Sequence, residues 1–122
     1  MLPTRRADKT GVTDPSKRRA PRQERALAAT LGGRVTSGSG SKTEKGDVRI
    51  KGVARIEAKC TRHASYSLKL ETFEKVEDAA SSCTPAEMPV MHLEFLDANG
   101  TPIKGLYIVR QDDLEELIRN QV

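Results

Sequence analysis

Apolar positions recur with a helical period in the segment RQERALAATL, residues 22–31. Four residues fall at spacings of 0, +3, +4 and +7, which places them on one face of an α-helix. Pro21 suits the first turn of this helix, and Gly32 suits its end. One member of the face is acidic, so the pattern predicts a carboxylate beside the core. The face consists of Glu24, Leu27, Ala28 and Leu31.

Helical and alternating patterns continue along the rest of the chain. A short strand at RV precedes a loop rich in Gly, Ser and Lys and then a hairpin, and LETFEKVEDAASS predicts a second helix. MPVMHLEFLD and LYIVR predict two more strands, and DDLEELIRN predicts a last helix that begins at an Asp cap. The predicted order is α, β, β, β, α, β, β, α. The residues expected to face the core in the later elements are Leu70, Phe73, Val76, Ala80, Met91, Leu93, Phe95, Leu114, Leu117 and Ile118.

The hairpin GDVRIKGVARIEAKC, residues 46–60, contains Asp47, Glu57 and Lys59, although strands are usually depleted in these residue types. Side chains on a strand alternate between its two faces. We therefore expect an apolar face toward the core and a polar face that carries Glu57 and Lys59. The apolar face contains Ile56, Ala58 and Cys60, and the polar face contains Arg55, Glu57 and Lys59.

The length of the hairpin loop decides which face Asp47 occupies. If the turn is Lys51-Gly52, Asp47 lies opposite Ile56 and faces the core, where an unpaired carboxylate is costly. If the turn also includes Val53, Asp47 lies opposite Glu57 on the polar face. Three-residue loops that contain a glycine are common hairpin connections, so we predict the second register.

This register places two carboxylates side by side, with the Lys59 ammonium one step further along the face. Two close carboxylates repel each other unless a cation lies between them. Oxygen ligands of this kind suit Mg²⁺ or Mn²⁺, which need one or two protein carboxylates together with water and phosphate. The predicted chemistry is hydrolysis of a phosphodiester. The alternative is a solvent-exposed ladder of cross-strand charged pairs.

Composition limits the class of protein. The 122 residues suffice for one domain, and with 3% aromatic residues and no Trp its core must be aliphatic. No run approaches the ~18 apolar residues of a membrane span, so we expect no membrane association. Two cysteines without a CxxC motif favour free thiols and a cytoplasmic location. His63 and His92 lack metal-ligand spacing, and His92 is expected to face solvent or a helix.

The positive charge is concentrated at the N-terminus. Residues 1–25 contain eight Lys and Arg against three Asp and Glu, a net +5, so the rest of the +4 chain carries −1. We predict a disordered basic tail over residues 1–19 and a nuclease domain over residues 20–122. The tail and the loop before Asp47 favour a DNA partner, the alternative being a solvated tail and a plain linker. The candidate DNA-binding residues are Arg18, Arg19, Arg22, Lys42 and Lys45.

The pattern of Asp47, a gap, and then Glu57-Ala58-Lys59 resembles the motif of the PD-(D/E)XK nuclease superfamily, with Gly46 in place of its proline. The stretches VTSGSGSK, IEAKCT and MPVMHLEF are most similar to the archaeal and phage Holliday-junction resolvase branch. The resemblance covers about residues 22–118. It implies a restriction-endonuclease-like αβββαβ core, with a central mixed sheet flanked by helices, and a metal site joined by the acidic residue of the first helix.

The resemblance also implies a function. We expect a Mg²⁺- or Mn²⁺-dependent endonuclease that cuts branched DNA, including Holliday junctions, as a homodimer in the cytoplasm, encoded by a cell or a phage. The implied metal ligands are Asp47, Glu57 and Glu24, with Lys59 as a further catalytic residue and a loop serine, Ser39 or Ser41, assisting. The alternatives are a nickase or defence nuclease acting on duplex or single-stranded DNA, and a non-catalytic DNA-binding module of the same fold.

Overall fold

The computed structural model describes residues 15–36 and 47–121. Within them, three helices and five strands follow one another in the predicted order. None of these helices is long and apolar enough to cross a membrane. The helices are α1 (Pro15–Leu31), α2 (Leu70–Ser81) and α3 (Gln111–Arg119), and the strands are β1 (Arg34–Val35), β2 (Asp47–Ile50), β3 (Ala54–Thr61), β4 (Met88–Leu96) and β5 (Pro102–Val109).

The five strands form one open sheet in the order β1-β2-β3-β4-β5. Strands β3 and β4 are parallel and are connected through α2, whereas every other neighbouring pair is antiparallel. Antiparallel neighbours need only a short turn, but parallel neighbours need a longer crossover, which α2 supplies. The chain is therefore an α/β protein with a mixed sheet flanked by helices, as the sequence predicted.

The hairpin between β2 and β3 has the predicted three-residue register. Asp47 lies opposite Glu57, and Ile50 lies opposite Ala54. Gly52 in the loop has a φ of 77°, a left-handed conformation that glycine adopts without steric cost. The predicted pairing of Asp47 with Glu57, rather than with Ile56, is therefore confirmed for the backbone.

The main aliphatic cluster lies between α1 and the face of the sheet that carries Val48 and Ile56. Leu27 and Ala28 of α1 pack in one cluster with Val48, Ile56 and other strand residues. On β4, Met91 and Leu93 are buried as predicted, and Phe95 is partly buried. Val76 and Ala80 of α2 are buried as well.

Helix α1 begins at Pro15, so the predictions of a start at Pro21 and of a disordered segment reaching residue 19 are wrong. Tertiary contacts offset the cost of ordering the extra residues. Pro15 is buried so close to Gly100 that a Cβ on the glycine would lie 2.6 Å from the Cβ of Pro15. The Ser16 carbonyl oxygen accepts a hydrogen bond from the Cys60 thiol at 3.4 Å. The rest of the predicted tail, residues 1–14, lies outside the described residues.

Several apolar residues expected in the core are exposed. Leu70 is 73% exposed, and Leu31 is 39% exposed. Helix α3 buries none of its residues, and its first turn has no side-chain cap because it begins after Arg110 rather than at an Asp. The helical period correctly groups Leu114, Leu117 and Ile118, but it does not determine what that face packs against.

Candidate functional site

Glu57 and Lys59 form a charged pair on the polar face of β3. The Lys59 Nζ lies 3.3 Å from Glu57 Oε2, and the two side chains are 38% and 21% exposed. Asp47 is the cross-strand neighbour of Glu57, and such neighbours interact on one face of a sheet. The side chain of Asp47 lies outside the described part of the structure. Because the side chains of Glu57 and Lys59 are both partly exposed, solvent and a ligand can reach them.

Glu24 joins this pair from α1. Burial raises the pKa of the Glu24 carboxyl above its ordinary value, and the negative charge of Glu57 raises it further. Arg25 acts in the opposite direction and does not cancel these effects. The structure thus brings together three of the residues that the sequence singled out, from an α-helix and a strand that are distant along the chain.

We call the cross-strand pair of Asp47 and Glu57 the acidic rung. The cross-strand pair of two arginines beside it, the basic rung, shows how this fold neutralises two like charges. Arg49 lies opposite Arg55, and Glu87 lies between them. The distance from Arg49 Nε to Glu87 Oε2 is 2.7 Å, and that from Arg55 Nε to Glu87 Oε1 is 3.7 Å. Burial opposes ionisation of Glu87, but hydrogen bonds from the Gly52 N–H and from Arg49 outweigh it and lower its pKa. The basic rung therefore has its own buried counter-ion.

The acidic rung is balanced differently. Asp47, Glu57 and Glu24 carry three formal negative charges, and the cations beside them are Lys59 at Glu57 and Arg25 at Glu24, which leaves −1. Carboxylate oxygens with this excess charge suit a divalent cation such as Mg²⁺. Among the side chains that the structure describes, which leave out Asp47, no three His, Cys, Asp or Glu residues could hold a metal. A three-carboxylate site thus requires Asp47.

Gln23 is a buried polar residue that the sequence analysis did not identify. Its Nε2 lies 2.9 Å from the Lys59 carbonyl oxygen and 2.9 Å from His92 Nδ1. His92 therefore faces a helix, one of the two expected environments. Its ring also lies 4.9 Å from that of Tyr107. In the sequence, only the position of Gln23, one helical turn before the apolar Leu27, indicates that it faces the core. Polar residues at exposed positions can have the same spacing, so the spacing did not identify Gln23 as buried.

Arg19, one of the candidate DNA-binding residues, is paired with a carboxylate of the sheet. It forms two hydrogen bonds with the Glu94 carboxylate, at 2.7 and 2.9 Å, and is only 18% exposed. Arg19 therefore lies in a folded helix and has a carboxylate partner on β4, rather than lying in a tail. Arg18 and Arg22 are exposed on α1, and Arg25 continues the same helical face.

The two candidate serines and the two candidate lysines of the loop before β2 all lie outside the described residues. They are Ser39, Ser41, Lys42 and Lys45.

The comparisons with known proteins identify no family for this chain. No protein-family model matches it, and no curated protein or solved structure matches it significantly.

Proposed function

We propose that this protein is a metal-dependent DNA endonuclease of the restriction-endonuclease-like fold. The observation that carries the proposal is the pairing of Asp47 with Glu57 in a register that also aligns Lys59, with Glu24 close enough to respond to the charge of Glu57. A structural salt-bridge ladder on the sheet would not need a carboxylate from α1 within range of Glu57.

The residues present fit a divalent cation. Asp47 and Glu57 would hold Mg²⁺ or Mn²⁺, with Glu24 as a further oxygen donor. The bound cation would supply Lewis-acid polarisation of the scissile phosphate. The Lys59 ammonium, 3.3 Å from Glu57, would orient the attacking water or stabilise the charge that develops on phosphate oxygens. Glu24, whose carboxyl pKa is raised by burial and by the charge of Glu57, would be ionised by a bound cation, because a nearby positive charge favours the carboxylate.

An exposed stripe of guanidinium groups supports a DNA substrate. Arg18, Arg22 and Arg25 are spaced at 0, +4 and +7 on α1, the helix that also carries Glu24. Guanidinium groups bind phosphate, and contacts to the backbone recognise shape rather than sequence. Branched DNA, including a Holliday junction, is the substrate we favour, and a homodimer would supply two sites for paired incisions. The protein would act in the cytoplasm.

A substrate panel tests this proposal. Labelled four-way junction, duplex and single-stranded DNA would each be incubated with the protein in Mg²⁺ and in chelator. We expect Mg²⁺-dependent cuts in the junction. Cuts confined to duplex or single strand would indicate a nickase or defence nuclease. DNA binding without any Mg²⁺-dependent cleavage would indicate a non-catalytic DNA-binding module.

A further inference from the structure

Strand β5 leaves apolar side chains uncovered at one edge of the sheet. Within the described residues it pairs only with β4, so its outer row of N–H and C=O groups faces away from the sheet. Ile103 is 66% exposed, Leu106 44% and Tyr107 52%. Lys104 is the one charged residue of this strand. Long apolar edges of this kind readily pair with another strand.

Helix α3 adds a second uncovered apolar face directly after this strand. Leu114 and Leu117 are each 48% exposed, and Ile118 is 57% exposed. The helix has nine residues and buries none of them. A nine-residue helix is marginal in water unless its apolar face packs against something. The hydrogen bonds of Arg110 to Asp113 and Glu77 hold its N-terminal end but cover none of this face.

The size and symmetry of this surface indicate what covers it. Tyr107 lies on one face of the β5 edge and Leu106 on the other, so strand pairing would cover side chains on both faces of the joined sheet. Together with Ile103 and the three α3 side chains they present on the order of 600 Å² of apolar area, close to the roughly 800 Å² that each partner buries in a stable complex. An edge strand that pairs antiparallel with its own copy satisfies both edges through one two-fold axis. A single charge on β5 leaves little repulsion between two copies. The six residues are Ile103, Leu106, Tyr107, Leu114, Leu117 and Ile118.

We propose that β5 and α3 form the interface of a homodimer, in which the two β5 strands pair antiparallel and join the sheets of both copies. The two-fold axis then runs perpendicular to the joined sheet, so equivalent residues of the two copies lie on the same face. Glu57 lies two strands from β5 in each copy, which separates the two sites by five strand spacings, about 24 Å. If the proposed nuclease function holds, one branched DNA molecule can reach both sites.

The mass in solution tests the interface without reference to cleavage. Light scattering at micromolar concentration should give twice 13.4 kDa for the wild type. Leu114→Glu and Leu106→Lys should each shift the protein to a folded monomer, with folding checked by circular dichroism. Leu31→Glu is the control, because Leu31 is 39% exposed beside the opposite edge of the sheet, and it should remain dimeric.

Hydrogen exchange then tests the strand pairing. Amides of β5 should exchange more slowly in the wild-type dimer than in the Leu114→Glu monomer. A monomeric wild type, or a dimer that survives both substitutions, would overturn the interface. Equal exchange of the β5 amides in dimer and monomer would overturn the pairing of the strands. A dimer without Mg²⁺-dependent cleavage would instead reject the proposed function and leave the interface standing.

Discussion

The side-chain Nε2 of Gln23 lies 2.9 Å from the main-chain carbonyl oxygen of Lys59. This contact joins α1, which carries Glu24, to the strand that carries Glu57 and Lys59. Gln23 is 1% exposed, so water cannot replace the hydrogen bond. The same nitrogen lies 2.9 Å from His92 Nδ1, and the amide therefore also connects β4 to the two elements of the site.

Replacing this amide by an apolar side chain of similar size should destabilise the protein. Gln23→Leu leaves the Lys59 carbonyl oxygen and His92 Nδ1 buried without their donor, which costs about 1–3 kcal/mol. Urea denaturation of the variant and the wild type measures this change. Gln121→Leu is the control, because Gln121 is exposed and its substitution should change stability by less than about 0.5 kcal/mol. An equal loss of stability in both variants would show that the buried hydrogen bonds of Gln23 do not stabilise the fold.

The acidic rung could be predicted from the sequence because two independent constraints agreed. Alternation fixed the faces of β3, and the cost of burying Asp47 selected the loop length that placed it opposite Glu57. The early start of α1 could not be predicted, because the contacts of Pro15 and Arg19 join positions far apart in the sequence. The packing of α3 was mispredicted for a different reason, because a helical period groups apolar residues on one face but does not show whether another element covers that face.

Removing either carboxylate of the acidic rung should abolish metal binding and cleavage together. Asp47→Asn and Glu57→Gln replace a charged oxygen donor with a neutral amide, so the excess charge that attracts a divalent cation falls. Calorimetric titration with Mn²⁺ and cleavage of junction DNA in Mg²⁺ measure the two effects. DNA binding should persist or strengthen, because a repelling charge is lost. Glu74→Gln on α2 is the control and should change neither quantity.

Wild-type cleavage by Asp47→Asn or Glu57→Gln would show that the acidic rung is not the metal site. Loss of DNA binding in the same variants, with their thermal unfolding unchanged, would show that these residues contact DNA rather than a cation.

Lys59→Ala should separate catalysis from metal binding. An ammonium is not a metal ligand, so Mn²⁺ affinity should stay the same or rise as the site becomes more negative. The cleavage rate at saturating DNA should fall at least about a hundredfold, as expected for a positioned charge or proton-transfer group. Single-turnover kinetics measures this rate, and Lys75→Ala on α2 serves as the control. A variant that cuts normally but no longer binds Mn²⁺ would reverse the roles of Lys59 and the carboxylates.

His92 should make the folded protein less stable as the pH falls. Burial lowers the pKa of His92 below its ordinary value of 6.5, with Glu94 opposing this shift and Arg19 adding to it. The fold therefore favours the neutral ring, and its contribution is fully present above pH 6.5 and is lost as the pH drops below it. A proton on Nδ1 would also face the Gln23 amide, which could accept it only by rotating its oxygen inward and giving up the bond to Lys59.

Urea midpoints measured a unit above and a unit below pH ~6.5 test this dependence. The wild type should lose stability between them, and His92→Gln should lose less because it cannot be protonated. The exposed His63 offers the matched control, and His63→Gln should keep the wild-type pH dependence. The comparison between variants matters because carboxylates also titrate on the acid side, among them Glu87 with its lowered pKa. Equal pH dependence in the wild type and His92→Gln would show that the ring stays neutral or that its proton is accommodated without cost.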